Sequence, residues 1–129
     1  MKEKKMKRMR MVLLLAAACL TNAQAAGIKI VATTTDLADI AHAVAGDLAE
    51  VSSITTGRED PHTLTARPGF IVRARDADVW IRVGMELEIG WEPVILREAR
   101  NPRIHVGTPR HIDASDHVLR LEVPTQRVT

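Results

Sequence analysis

The chain has 129 residues, 46% hydrophobic and 26% charged, a length and balance that suit one globular domain with its own core. Its formal net charge of +2 hides an asymmetry: residues 1–26 hold six basic side chains and one acidic, so the remainder carries 12 basic against 15 acidic, a net −3. With no basic patch outside the N-terminal stretch, and only Phe70, Trp80 and Trp91 as aromatics, nucleic acid is excluded as a partner.

Residues 1–10 form a positive start, residues 11–20 (MVLLLAAACL) a short apolar run, and Ala23-Gln24-Ala25 a small-x-small cleavage pattern. Together they predict a signal peptide over residues 1–26, removed on export, with the mature chain starting near Gly27. The apolar run is shorter than the ~20 residues a membrane-spanning helix needs. The only cysteine, Cys19, lies inside this leader. The residue three before it is Ala16, not the larger aliphatic residue usual before an acylated cysteine, so a lipid anchor there is the secondary reading. The mature chain has no thiol for a disulfide, a zinc thiolate or a nucleophile.

Residues 28–33 (IKIVAT) read as a buried strand. Thr34, Thr35 and Asp36 then open a helix whose Leu37, Ile40, Ala41 and Val44 share one face, with Gly46 as its stop. A strand over residues 51–55 leads into the polar loop 56–62 (TGREDPH). Pro68 fits the first turn of a second helix with Phe70, Ile71 and Ala74 on its apolar side. Residues 79–83 (VWIRV) form a third strand ended by Gly84. Residues 86–100 form a third helical region with Leu87, Trp91, Val94 and Ile95 on one side, kinked or split at Pro93. Residues 103–106 are expected as a fourth strand, and residues 119–123 (LRLEV) alternate within an otherwise irregular tail. The fold class is therefore α/β, a parallel sheet with helices on both faces and its functional loops at the carboxyl ends of the strands.

Of the five histidines, His42 falls on the solvent side of the first helix, His105 in the fourth strand, and His111 and His117 in the tail. No H-E-x-x-H is present, nor any G-x-S-x-G or phosphate-loop fingerprint. His62 stands apart, in a carboxyl-edge loop after Pro61, with Glu59 and Asp60 lowering the local potential. A neutral imidazole there suits zinc, although on composition alone an exposed loop histidine with no such role is the better account. Glu86 and Glu88 read as surface charges at a helix start, and Trp80 and Trp91 as core anchors.

Residues 31–37 (VATTTDL), 57–62 (GREDPH), 66–71 (ARPGFI) and 77–90 (ADVWIRVGMELEIG) with Trp91 resemble, in this order, the periplasmic zinc- and manganese-binding proteins that serve ABC importers. In that family a D-P-H element supplies the first histidine of the metal site, here Asp60-Pro61-His62. The family's G-x-x-L-E element is matched by Gly84, Leu87 and Glu88. The resemblance implies that residues 27–129 are the N-terminal metal-binding lobe of a two-lobed protein, incomplete here. The second histidine, a further His or Glu and an Asp would come from beyond this segment.

The expected function is that of an extracytoplasmic solute-binding component, a monomer and not an enzyme. It would capture a divalent transition metal, zinc before manganese or iron, as transported ligand and pass it to a membrane permease. A nonfunctional remnant of such a protein is the second reading, and a secreted metal-dependent hydrolase the third. Periplasmic location follows from the leader. Mass spectrometry of exported protein should find an N-terminus near Gly27, and an intact Met1 in that material would overturn the leader.

Overall fold

The computed structural model describes residues 27–119 and Leu121. The leader, and most of the alternation at residues 119–123, lie outside the described residues. Four strands form one parallel sheet: β1 (Ile28–Ala32), β2 (Ala49–Ser53), β3 (Val79–Arg82) and β4 (His111–Asp113), in the order β2-β1-β3-β4. Three helices connect them: α1 (Thr35–Ala45), α2 (Pro68–Asp76) and α3 (Glu92–Ala99), with short 3-10 turns at Gly46–Leu48 and Pro102–Ile104.

Val31 pairs in register with Trp80, and both enter one core with Phe70 and Ala74 of α2 and Ile95 and Leu96 of α3. Helix α1 packs on β1 and β2, and its buried Ala41 is not part of that core. The sheet is thus covered on one face by α2 and α3 and on the other by α1, as the alternation of strands and helices predicted. Trp80 and Trp91 are core residues as expected, at 0% and 1% exposure. His42 faces solvent.

Three expectations are corrected. The apolar face expected on α1 keeps Leu37 and Ala41 but is turned by roughly 60°. Its inward stripe is Leu37, Ala38, Ala41 and Ala45, while Ile40 and Val44 are exposed. Small alanines let the helix sit close on the strands, and the larger aliphatics fall on its flank. The third helix starts only at Glu92, with Pro93 in its first turn, where a missing N–H costs nothing. Residues 85–91 instead form turns closed by Leu87 N–H to Gly84 O, Ile89 N–H to Glu86 O and Trp91 N–H to Glu88 O.

The fourth strand is not at residues 103–106. Pro102 fixes its own φ and lacks a donor, and the Asn101 side chain accepts from Arg103 N–H, so this stretch closes into a 3-10 turn. Ile104 drops into the core, and β4 forms seven residues later. Asn101, buried, also donates its amide to the carbonyls of Ala74 and Ala77 at 3.0 and 2.8 Å, closing the C-terminus of α2.

Gly84 marks the turn from β3 with φ +86. A Cβ there would collide with the Asp113 carboxylate and the Ser115 hydroxyl. Gly84→Ala should therefore lower stability by about 2–4 kcal/mol, combining left-handed strain with displacement of the segment after β4. Denaturant melts of the mature chain measure this, and a loss under about 0.5 kcal/mol would contradict it.

Candidate metal centre

The carboxyl edge of the sheet is where β1, β2 and β3 end together. Beyond the strands, Thr33 N–H donates to Ile81 O at 2.8 Å, and Thr55 N–H donates to Thr33 O at 3.2 Å. The 56–63 loop rises from this edge. Glu59 accepts from the Thr56 hydroxyl at 2.7 Å and from Thr56 N–H at 2.9 Å, and these bonds hold its carboxyl down to about 2. Asp60 Oδ1 accepts from His62 N–H at 2.9 Å and lies 2.9 Å from His62 Nδ1. Those two contacts keep the Asp60 carboxyl below its ordinary range. Thr63 N–H closes the turn on Asp60 O at 3.1 Å.

His62 is 69% exposed at its side chain. The Asp60 carboxylate can only accept, so this contact calls for a proton on Nδ1, and the neutral ring then keeps its lone pair on Nε2. The expected position at the carboxyl edge is thus confirmed. Among the described residues, however, no three His, Cys, Asp or Glu side chains come together as a metal-holding group. His42, His105 and His117 are exposed on other elements. A groove of about 720 Å³ lies elsewhere, between α3 and the 3-10 turn after it, and is lined by Leu96, Arg97, Arg100, His105 and Val106.

Of the two glutamates expected as surface charges at a helix start, one is not. Glu86 is exposed, but Glu88 is 1% exposed. Glu88 accepts from the Thr33 hydroxyl at 2.7 Å, Val83 N–H at 2.8 Å and Gly84 N–H at 3.1 Å. A glutamate four residues after a strand-ending glycine, within a turn, can fold back onto the strand end; that spacing was the available signal. Glu92, also buried, accepts from the Trp80 indole at 2.7 Å and from Arg82 at 2.8 Å. Burial pushes its carboxyl upward against those bonds.

His111 lies in β4, not in an irregular tail, with its side chain 2% exposed and Nε2 3.3 Å from Glu92 Oε1. His105 sits in no strand and ends the 3-10 turn.

A family model described as the zinc-uptake complex component A, periplasmic, matches residues 30–126. The chain belongs to that family. It is 42% identical over 64 residues to the iron-binding protein YfeA of Yersinia pestis, half of this chain and 21% of that protein. It is 32% identical over 91 residues to the manganese ABC transporter substrate-binding lipoprotein PsaA of Streptococcus pneumoniae, 70% of this chain and 29% of that one. A crystal structure of ZnuA superposes with a TM-score of 0.60 at 21% identity, over 75% of this chain and 35% of that structure. A zinc-bound ZnuA deletion mutant gives the same score at 23% identity. The fold is therefore that of the metal-binding ABC transporter substrate-binding proteins, and the chain spans less than a third of the length of these curated relatives.

Burial, then the Arg82 charge, lowers the His111 pKa below its ordinary value. The folded state thus prefers the neutral ring, so His111 contributes stability that is fully present above the unfolded value of ~6.5 and is lost as pH falls through the lower folded value. Melts across pH 7.5 to 5 should show the parent losing stability more steeply than His111→Gln, and equal slopes would refute the assignment.

Proposed function

We propose that this lobe is part of an extracytoplasmic binding protein that captures a divalent transition metal, zinc before manganese or iron, and hands it to an ABC permease. Residues 1–26 are its cleaved leader, residues 27–129 its N-terminal lobe, and His62 its metal ligand. The observation that carries this reading is the Asp60–His62 pair. A carboxylate on Nδ1 orients an exposed ring and makes its Nε2 a better donor, the arrangement that metal-binding histidines use. Zinc is favoured because imidazole suits it well and because the family model is the zinc-uptake component. The relatives named for iron and manganese keep those ions as alternatives.

One imidazole does not make a tight site, since zinc takes three or four protein ligands. The remaining donors belong to the part of the relatives' length that this chain does not match. The metal is cargo here, and no residue is assigned a catalytic role.

The mature chain should accordingly bind zinc weakly and through His62. Calorimetry should detect no submicromolar site, while a zinc titration followed by NMR should move the His62 ring signals well ahead of those of His42. His62→Ala should abolish that response and change stability by no more than about 0.5 kcal/mol, as for an exposed loop position. His42→Ala is the matched control. A zinc response that survives His62→Ala would remove the central residue of this reading.

A further inference from the structure

Within the 56–63 loop nearly every hydrogen bond among the described residues closes on the loop itself, from Thr56 to Glu59, His62 to Asp60 and Thr63 to Asp60. Such bonds shape the loop but do not place it on the protein. One hydrogen bond reaches out: the Trp91 indole N–H donates to Pro61 O at 2.7 Å. Pro61 O belongs to the peptide that leads into His62, so this bond acts one residue from the imidazole.

Trp91 is itself fixed. Its ring is 1% exposed within the core, and its backbone N–H donates to Glu88 O. The turn that delivers it is unfavourable by itself, because Gly84, Met85 and Glu86 all adopt left-handed backbone, with φ of 86°, 51° and 70°. For the two non-glycine residues that conformation is sterically unfavourable, because the Cβ crowds the following carbonyl. The Glu88 carboxylate offsets this by accepting from the end of β3 and from Thr33 after β1, in charge-assisted bonds that are stronger than neutral ones. A continuous path therefore runs from two strand ends through Glu88 and Trp91 to the peptide before His62.

We propose that Trp91 is a positioning residue for His62, and that Glu88 is the staple that holds Trp91 in place. The inference rests on His62 being a metal ligand. In a site completed by donors from elsewhere, the place of each donor decides whether the set can close on one ion, so a loop free to move by an ångström or more weakens the site without loss of a ligand.

The test uses the mature chain with Co²⁺ as the probe. Cobalt on the parent His62 should give pseudocontact shifts at strand-edge amides such as Thr33, Ile54 and Val83 that fit one metal position. Trp91→Phe keeps an aromatic ring and removes the donor. It should shrink those shifts by about threefold or more, and drop the order parameters of the His62 and Thr63 amides from about 0.85 to below about 0.6 in metal-free protein. Cobalt affinity should stay within about twofold, because it depends on the one imidazole. Ile95→Val, a core change away from the loop, controls for lost stability and should keep the parent pattern. If Trp91→Phe does not fold, Glu88→Gln carries the same test with the indole in place. A folded variant with parental shifts and order parameters overturns the positioning role and leaves the metal reading intact. No cobalt effect at His62 in the parent overturns the metal reading, while the order parameters still judge the Trp91 bond.

Discussion

The carboxylate of Glu88 governs the carboxyl edge of this sheet. Parallel strands end in unpaired backbone N–H groups, and at a buried edge each one needs an acceptor. Glu88 supplies it for Val83 and Gly84, and takes the Thr33 hydroxyl as well. Burying a carboxylate is costly without such partners, and three donors are what makes it tolerable here. The same bonds pin the turn whose end carries Trp91, so one buried side chain couples sheet termination to the placement of the 56–63 loop.

A second polar cluster secures the opposite flank of β3. Arg82 lies between Glu92 at 2.8 Å and Asp113 at 2.6 Å, joining α3 to β4 across the strand. Burial works against the Arg82 charge, but the bonds to the two carboxylates overcome it and raise its pKa further. For Asp113, burial would raise the carboxyl, and the Ser115 and Arg82 bonds outweigh it. Strand β4 has only three residues, too few to hold an edge by backbone pairing alone. Its attachment depends on this ion pair and on the fit of Asp113 and Ser115 over Gly84, where only a glycine leaves room.

Much of this was legible in the sequence because it is periodic or punctuated. Branched runs at residues 28–33 and 79–83, Pro68 at a helix start and the strand-helix alternation gave the α/β class and the carboxyl-edge position of His62. Part of what was missed depends on distant partners and part on local backbone chemistry. The Gly84–Glu88 spacing hints at a fold-back onto the strand end, but the Thr33 hydroxyl that completes the Glu88 contacts lies 55 residues away. The 103–106 stretch has strand-like residues, but Pro102 and the Asn101 cap decide its local backbone. On α1 the periodicity places Leu37, Ile40, Ala41 and Val44 inward, whereas the sheet accepts Leu37 with the alanine stripe and leaves Ile40 and Val44 outside. The Trp91 indole bond to Pro61 was invisible because sequence separates its ends by 30 residues.

Under the proposed function, these features bear on how a carrier can hold a metal and still release it. A site assembled on one rigid lobe would need to break several coordinate bonds in place before the ion could leave. A lobe that presents one oriented imidazole leaves most of the binding energy to whatever supplies the other donors, so release follows when those donors withdraw. For that division to give useful affinity, the single donor must already be in place, since every ordering cost is subtracted from binding. Asp60 sets the ring and its tautomer, Trp91 sets the loop, and Glu88 sets Trp91. Asp60 is exposed beside His62, whereas Trp91 in the core and Glu88 between the strand ends are both 1% exposed. Under the proposed function, the buried polar and aromatic groups at this edge keep one exposed ligand ready without adding a second, which is what a reversible capture site divided between two parts of a protein requires.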